Sequence, residues 1–371
     1  MSARRPLLVV LGTRPEAIKL APVITALRAS ASLAPRVCAS GQHREMLDQM
    51  LRVFAIVPDH DLAVMQPAQD LSDVTARVLL GLRAVLAAER PAAVLVQGDT
   101  TTAMAGALAA FYAGVPVGHV EAGLRTGRLD QPFPEEMNRR LVAQLATWHY
   151  APTARAADNL RREGVAAERI LVTGNTVVDA VLAMAARPLA LPPPIDEAAL
   201  AGHRLVLVTG HRRENFGAGL ANLCAALRTL ADRYPDVLVV YPVHLNPAVE
   251  QPVRAALGDH PRVRLTPPLD YLGFAALLRR AHLAITDSGG VQEEAPSFGV
   301  PVLVTRAATE RGEALAAGTA RLVGTDRDAI VAAASALLDD PAAHAAMRAA
   351  TNPFGDGHAA ARIVAHLEGV L

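Results

Sequence analysis

The sequence predicts an α/β protein built from two doubly wound parallel-sheet domains facing a central cleft. Three observations predict it. Short apolar runs alternate with amphipathic stretches along the whole chain, and such alternation favours parallel strands covered by helices on both faces. At 371 residues the chain exceeds what a single core usually serves. A segment with four prolines, residues 187–194, interrupts the rhythm and reads as a connector on the second domain's side of the boundary.

The strand candidates of the first half are residues 7–11, 37–40, 93–97, 115–119, 148–151 and 170–173. Those of the second half are 205–209, 237–241, 263–265, 283–286, 301–304 and 321–323. No repeat of fixed period and no low-complexity tail interrupts this pattern.

Composition narrows the function. Lys plus Arg equals Asp plus Glu, 36 of each, so global charge makes no case for nucleic acid or an anionic membrane as partner. An anionic ligand must be held locally. The two cysteines, Cys38 and Cys224, are far apart and lack CxxC spacing, which argues against a disulfide framework or a Cys-based zinc site and suits a reducing cytoplasm. The apolar run at 7–11 is too short for a signal peptide. The longest nonpolar tract, 103–118, is interrupted by Pro116 and falls short of the roughly 20 residues a membrane span needs. A soluble, cytoplasmic protein is expected.

In doubly wound sheets ligands sit outside the carboxyl ends of the strands, so the polar residues after each strand carry the information. The stretch 283–296, LAITDSGGVQEEAP, is the most telling: a buried strand runs through Ser288 into Gly289-Gly290 and then a helix start. Glycines at that junction let a ligand approach the backbone, and the free N–H groups and partial positive charge of a helix start favour a phosphate. Glu293 or Glu294 is then placed to accept from a ribose diol; the alternative is a plain strand-to-helix turn with a cap.

After the first strand come Gly12, Arg14 and Lys19, with Pro15 placed to begin a helix; the two cations either reach a phosphate or form a solvated cap pair. Gly41-Gln42-His43 opens another polar loop. Asp99 follows the third strand, before a threonine run, and reads equally as a helix cap. Glu121 lies in the Ala/Gly-rich loop after the fourth, and two prolines stiffen the next loop to deliver Glu135 at a helix start. These three carboxylates are expected to converge. In the second half, His211 beside Arg212 and Arg213 suits a diphosphate, though a lone histidine is also a common structural hydrogen-bonder. His244 stands in a further proline-braced loop.

Missing motifs exclude several classes. There is no GxxxxGK[ST] of a P-loop, no GxSxG elbow and no His-rich metal spacing. Gly217-Ala218-Gly219 is followed by Asn222 where a dinucleotide fingerprint needs its third glycine, and His119-Val120-Glu121 lacks the PCxxC of zinc deaminases.

Taken together, GTRPEAIKLAP (12–22), GQHREMLDQ (41–49), GDTTT (98–102), GHVEAGLRTG (118–127), PFPEEMNR (132–139), TGNTVVDA (173–180), TGHRREN (209–215), YPVHLNP (241–247), TDSGGVQEEAPSFGVPVL (286–303) and NPFGDG (352–357) resemble the non-hydrolysing UDP-N-acetylglucosamine 2-epimerases. The resemblance runs over nearly the whole chain and implies a GT-B-like fold of two Rossmann-like domains. It places the first at residues 1–172, joined by a C-terminal helix at about 358–371 that crosses back, and the second, UDP-binding domain at 173–357. It implies a homodimer, no cofactor, no metal, and interconversion of UDP-GlcNAc and UDP-ManNAc by eliminating UDP to a 2-acetamidoglucal and adding it back.

By the same resemblance Asp99, Glu121, Glu135 and His211 form the catalytic centre. Arg14, Ser288, Gly289, Gly290 and Glu294 bind UDP, Lys19 steadies the carboxylates, and Phe274 lies against the uracil unless it is a core aromatic of its helix. Gln42, Glu136, Arg212 and His244 match a second UDP-GlcNAc site that activates some bacterial members, but Glu45 and Ala68 replace the Gln and Arg expected there. Gln97 replaces a His before GDTTT, with little effect expected. The loop 306–313, RAATERGE, lacks the usual Asp and Pro and is expected to border the UDP site. The alternatives are an epimerase of a modified sugar such as UDP-2,3-diacetamido-glucuronate, a hydrolysing epimerase releasing ManNAc and UDP, a GT-B glycosyltransferase, and a catalytically silent UDP-sugar sensor.

Overall fold

The computed structural model describes residues 4–371 apart from 43, 67, 211, 213 and 214. The chain divides into two compact units, Met1–Ala180 with Phe354–Leu371, and Val181–Pro353. The sequence reading put the boundary at 172/173 and the return at about 358. The observed division falls inside a continuous helix, Thr176–Ala185, whose first turns are tied to the C-terminal helix.

The first unit holds strands β1 (Arg5–Leu11), β2 (Leu33–Ala39), β3 (His60–Asp61), β4 (Ala93–Gln97), β5 (Val117–Val120), β6 (Trp148–Ala151) and β7 (Ile170–Val172). Its helices are α1 (Arg14–Ala29), α2 (Arg44–Val53), α3 (Leu71–Glu89), α4 (Thr101–Tyr112), α5 (Glu135–Leu145), α6 (Ala154–Arg162) and the start of α7 (Thr176–Ala185). All paired strands are parallel, in the order β3-β2-β1-β4-β5-β6-β7. Central strands read as unbroken apolar runs because both faces are covered: Leu7 through Leu11 are all fully buried. Strand β3 escapes the apolar-run criterion because it is a two-residue edge strand, half exposed. Strand β2 begins four residues earlier than expected, since its first half carries Pro35 and Arg36 and is only partly covered.

The second unit holds β8 (Arg204–Thr209), β9 (Val237–Pro242), β10 (Val263–Thr266), β11 (Ala281–Thr286), β12 (Val302–Val304) and β13 (Ala320–Leu322). Its helices are α8 (Glu197–Leu200), α9 (Ala218–Arg233), α10 (Pro247–Leu257), α11 (Tyr271–Arg280), α12 (Gly289–Glu294), α13 (Gly312–Ala317), α14 (Arg327–Asp339) and α15 (Pro341–Ala349). The strand order is β10-β9-β8-β11-β12-β13, again parallel throughout. Val206, Val239, Leu283 and Ile285 pack against Leu227 and Leu230 of α9 to form its core.

The last helix, α16 (Ala359–Val370), belongs to the first unit. Buried Asp179 of α7 accepts from the backbone N–H groups of Ala359 and Ala360, at 3.3 and 2.8 Å, and so caps its free N-terminus. Further along, His366 Nδ1 lies 3.1 Å from the Tyr150 hydroxyl of β6. Among the described residues no helix is long and apolar enough to cross a membrane.

Both sheets reverse direction once. In the first the switch lies between β1 and β4, in the second between β8 and β11. A doubly wound sheet offers its ligand crevice there, where the two helices leave on opposite faces. The loops after these four strands begin at Gly12, Gly98, Gly210 and Asp287, the same loops that the sequence singles out.

Candidate active site

At the first switch point the turn after β1 needs glycine for packing: a side chain at Gly12 would collide with Ser40 Oγ and Thr102 Oγ1. Thr13 caps α1 with its backbone, Pro15 sits in the first turn, and Arg14 stays exposed. Glu16, in the same turn, is wholly buried. It accepts from Gly12 N at 2.9 Å and from the Thr100 hydroxyl at 2.7 Å. Burial pushes its pKa up to about 7, against the pull of the Thr100, Thr13 and Gly12 hydrogen bonds. Lys19, one turn on, places Nζ 2.5 Å from Glu121 Oε1.

Glu121 is the hub of this region. It ends β5 with a left-handed backbone, φ 64°, an uncommon conformation for a residue with a Cβ. Its Oε1 also accepts from Asn175 Nδ2 at 3.0 Å, and its Oε2 accepts from the Gln97 carboxamide. A Cβ at Gly98 would stand 3.6 Å from that Oε2, so the Glu121 carboxylate lies directly against the loop that carries Asp99.

Asp99 does not cap α4. Thr100 does, accepting from Ala103 N at 2.9 Å, which releases the Asp99 carboxylate to pair with Arg139 at 2.7 Å. The Asp99 carbonyl accepts from Asn138 Nδ2 at 2.8 Å, so two residues of α5 grip it. Glu135 opens the same helix, and its Oε2 is buried without a hydrogen-bond partner among the described residues. Glu136 is fully buried, and both its oxygens are taken up by the N–H groups of Thr126 and Gly127 and by Arg139 and Arg140. Burial alone would raise its pKa; these donors outweigh it and hold the carboxyl below the usual range.

Beneath the loops lie two buried histidines paired across β5 and β6, His119 and His149. His119 Nε2 meets the Gly98 carbonyl at 2.8 Å; because a carbonyl only accepts, this nitrogen carries the proton. Burial lowers the two rings to about 4 and about 3 respectively, so both are neutral near neutral pH.

At the second switch point Ser288 is the N-cap residue of α12 by backbone, yet its hydroxyl makes no capping hydrogen bond. The first-turn N–H groups are therefore not capped by that side chain, the arrangement that suits an anion. The two glycines differ. A Cβ at Gly289 would lie 2.8 Å from Arg311 Cζ, so this glycine makes room for a guanidinium of the protein itself. At Gly290 the closest atom is Glu294 Oε1, 3.7 Å away. Glu293 is buried and bound to Arg311 at 2.9 Å, and Glu294 is half-buried at the end of α12. The loop 306–313 does border α12: the Thr309 hydroxyl donates to Gln292 Oε1 at 2.7 Å. Glu310 is held at about 2, where burial would raise it, by Arg306 and Arg311.

The first unit thus sets the Lys19–Glu121 ion pair against the loop that carries Asp99, with Glu135 opening the helix whose Asn138 and Arg139 hold Asp99 and with Arg14 at the adjacent turn. The second unit gathers Ser288, Gly289, Gly290 and Glu294 on one short helix. His211 lies outside the described residues. Arg212 is joined to Asp287, its N–H donating to Oδ2 at 2.9 Å and its Nε to the carbonyl at 3.0 Å. Phe274 is half-buried and stands apart from the buried residues of α11. Gln42 Oε1 accepts from Thr102 at 2.8 Å, and exposed His244 accepts from Asn246 N at 3.0 Å.

Sequence reasoning missed Glu16, Asn138, Arg139 and Asn175; Gln97, from which little effect was expected, donates to Glu121. For Arg139 the signal was helical spacing, four residues after Glu135 and three after Glu136. Asn175 carried no such signal.

A family model described as UDP-N-acetylglucosamine 2-epimerase matches residues 25–368. A relative from Ralstonia solanacearum, named a probable UDP-N-acetylglucosamine 2-epimerase, is 54% identical over 97% of both chains. A solved putative UDP-N-acetylglucosamine 2-epimerase from Listeria monocytogenes is 44% identical with a TM-score of 0.92, covering 99% of this chain and 97% of that one. The Neisseria meningitidis UDP-GlcNAc 2-epimerase, solved bound to UDP-GlcNAc, is 44% identical with a TM-score of 0.87, covering 98% and 100%. In fold alone the chain is also similar to the glycotransferase of kitacinnamycin, at 15% identity, a TM-score of 0.68 and 99% coverage of both chains, which makes the architecture GT-B-like. With two Rossmann-like sheets and a match that runs through nearly the whole chain, the protein belongs to the UDP-N-acetylglucosamine 2-epimerase family.

Proposed function

We propose that this protein interconverts UDP-N-acetylglucosamine and UDP-N-acetylmannosamine by eliminating UDP and adding it back. The observation that carries the reading is the Asp99–Glu121 neighbourhood at one switch point, in a chain whose other switch point ends in a glycine-initiated helix that the Ser288 side chain does not cap. The C2 proton of the sugar is not beside a carbonyl, so abstraction alone would be very slow. Coupling it to departure of a diphosphate makes it feasible: a carboxylate takes the proton, the C1–O bond breaks with its electron pair leaving on UDP, and a C1–C2 double bond remains. Delivery of a solvent-exchangeable proton from an acid on the opposite face of C2, with UDP re-adding at C1, completes the inversion.

Asp99, Glu121, Glu135 and His211 carry the acid and base roles of the reaction. Lys19 pairs with Glu121, and Gln97 and Asn175 fix how it points. Ser288, Gly289 and Gly290 take the diphosphate with Arg14, Glu294 takes the ribose, and Phe274 takes the uracil; stabilising the leaving charge is the larger part of the rate. Gln42, Arg212 and His244 belong to a second UDP-GlcNAc site, and Glu136 braces the 126–127 turn beside it. The enzyme works in the cytoplasm, where its buried free thiols Cys38 and Cys224 stay reduced. It works as a homodimer, a reading supported by exposed Leu80, Phe111 and Tyr112 near a groove of about 600 Å³ between α3 and α4.

Turnover of UDP-GlcNAc in D2O tests the mechanism. Proton NMR should show UDP-ManNAc appearing with deuterium at C2 of both sugar nucleotides. Inversion without deuterium would reject elimination, and accumulation of free ManNAc and UDP would identify a hydrolysing enzyme.

A further inference from the structure

We propose that Glu16 is a positioning residue, whose carboxylate clamps the turn after β1 to the cap of α4 and so fixes the loop that carries Asp99. The inference rests on the epimerase reading for its kinetic consequence. Each residue of that loop is tied by a different element. The Gly98 carbonyl accepts from His119 of β5, the Asp99 carbonyl accepts from Asn138 of α5, and the Thr100 hydroxyl donates to Glu16 of α1. Thr100 is doubly committed: its oxygen accepts from Ala103 N at 2.9 Å while its single proton goes to Glu16 Oε1 at 2.7 Å. The other carboxylate oxygen accepts from Gly12 N at 2.9 Å. The chain Ala103–Thr100–Glu16–Gly12 therefore runs without a gap from one side of the switch point to the other.

The choice of residue is informative. Glu16 has no exposed surface and, among the described residues, no Lys or Arg partner, so its charge is buried at a cost that an apolar residue of the same size would avoid. The Gly12 N–H and the Thr100 hydroxyl, two of its donors, belong to loops that leave the switch-point strands, and both need an acceptor. A carboxylate offers two acceptors in one plane; a glutamine offers one acceptor and one donor, so one of the two ties must break. Displacements of about 1 Å at a reacting group cost on the order of 10²-fold in rate, and Asp99 is adjacent to the clamped hydroxyl.

The test compares Glu16→Gln, Thr100→Val and Thr100→Ser in the full-length protein. With UDP-GlcNAc as substrate, Glu16→Gln and Thr100→Val should each lower kcat by roughly 10- to 100-fold with KM changed by less than about twofold. The double variant should be no slower than either alone, and Thr100→Ser, which keeps the hydroxyl, should restore kcat. Amide hydrogen exchange reads the clamp without activity: Gly12 and Ala103 should exchange at least about tenfold faster in Glu16→Gln than in the wild type. Unchanged exchange overturns the clamp, and unchanged kcat in a folded Glu16→Gln overturns its role in catalysis. If Glu16→Gln does not fold, Thr100→Val against Thr100→Ser decides, equal kcat in the two refuting the proposal. A wild type that leaves UDP-GlcNAc unaltered refutes the epimerase reading and leaves the exchange experiment to judge the clamp.

Discussion

Lys19 Nζ lies 2.5 Å from Glu121 Oε1, and the two side chains are only 12% and 6% exposed, so the ion pair is nearly withdrawn from water. Each partner is there for the other. Losing one takes away the other's ion-pair partner at a largely buried site, a change that costs about 3–5 kcal/mol, whereas replacing both by apolar groups of similar volume is often neutral or stabilising. Lys19→Met should therefore lower stability by an amount in that range in urea denaturation. Lys19→Met combined with Glu121→Leu should recover much of it while remaining inactive. Recovery of activity in the double variant would show that Glu121 takes no part in the chemistry.

The left-handed backbone of Glu121, φ 64°, makes a second prediction. A residue with a Cβ is held there at a cost of about 1 kcal/mol that glycine does not bear. Glu121→Gly should be more stable than Glu121→Ala by about that amount, although glycine in most positions is the less stable choice. Both variants should lose on the order of 10²–10⁴ in kcat if Glu121 is an acid or base. Thermal denaturation measured beside the NMR assay checks the two together.

The neighbouring glycines of α12 should separate folding from ligand binding. Gly290→Ala meets only Glu294 Oε1 and Ser288 Oγ at ordinary contact distance, 3.7 and 3.8 Å, so Tm should hardly change. If UDP approaches this backbone, KM should still rise by about tenfold, equivalent to ~1.4 kcal/mol. Gly289→Ala pushes on Arg311, which is held by Glu293, and should lower Tm as well as affinity. An unchanged KM in Gly290→Ala would remove the diphosphate from this helix.

Two buried groups should shape stability against pH with opposite signs. Glu16 moves from an ordinary 4.5 to about 7 in the folded protein. The folded state holds its proton more tightly, so this contribution is complete below pH 4.5 and is lost as pH rises to about 7. Glu16→Gln should therefore gain stability relative to the wild type across that window, by on the order of 3 kcal/mol, and no more above it. His149 moves the other way, from 6.5 to about 3. Its contribution is complete above pH 6.5 and is lost as pH falls toward 3, so His149→Leu should gain on the wild type in acid. Among the described residues neither ring nitrogen of His149 has a hydrogen-bond partner, so the leucine should cost little near neutral pH. Urea midpoints followed across the acid-to-neutral range check both signs.

Much of this fold is legible in the chain. The long central strands are apolar runs because both of their faces are covered, and the loops that follow them announce themselves by charge among small residues. Gly12, Asp99, Glu121 and Gly290 could be singled out for that reason. What escaped was local in a different sense. Strand β3 has two residues and no apolar signature. Asp99 reads as a helix cap until Thr100 is seen to take the cap and Arg139 to take the aspartate. Glu16 looks like an ordinary acidic residue in a helix's first turn, and Gly289 looks like a ligand glycine until Arg311 arrives above it.

Hydrophobic period, chain length and the placement of glycine and proline are properties of neighbouring residues, and they determine by themselves that this protein is two doubly wound sheets with polar loops at the strand ends. Which carboxylate pairs with which cation is decided between residues far apart along the chain: Lys19 with Glu121, Asp99 with Arg139, Glu16 with Thr100. Only the tertiary fold brings these together. Charge and hydrogen-bond partnership fall off within a few ångströms, and no pattern along a single strand or helix records distances between strands.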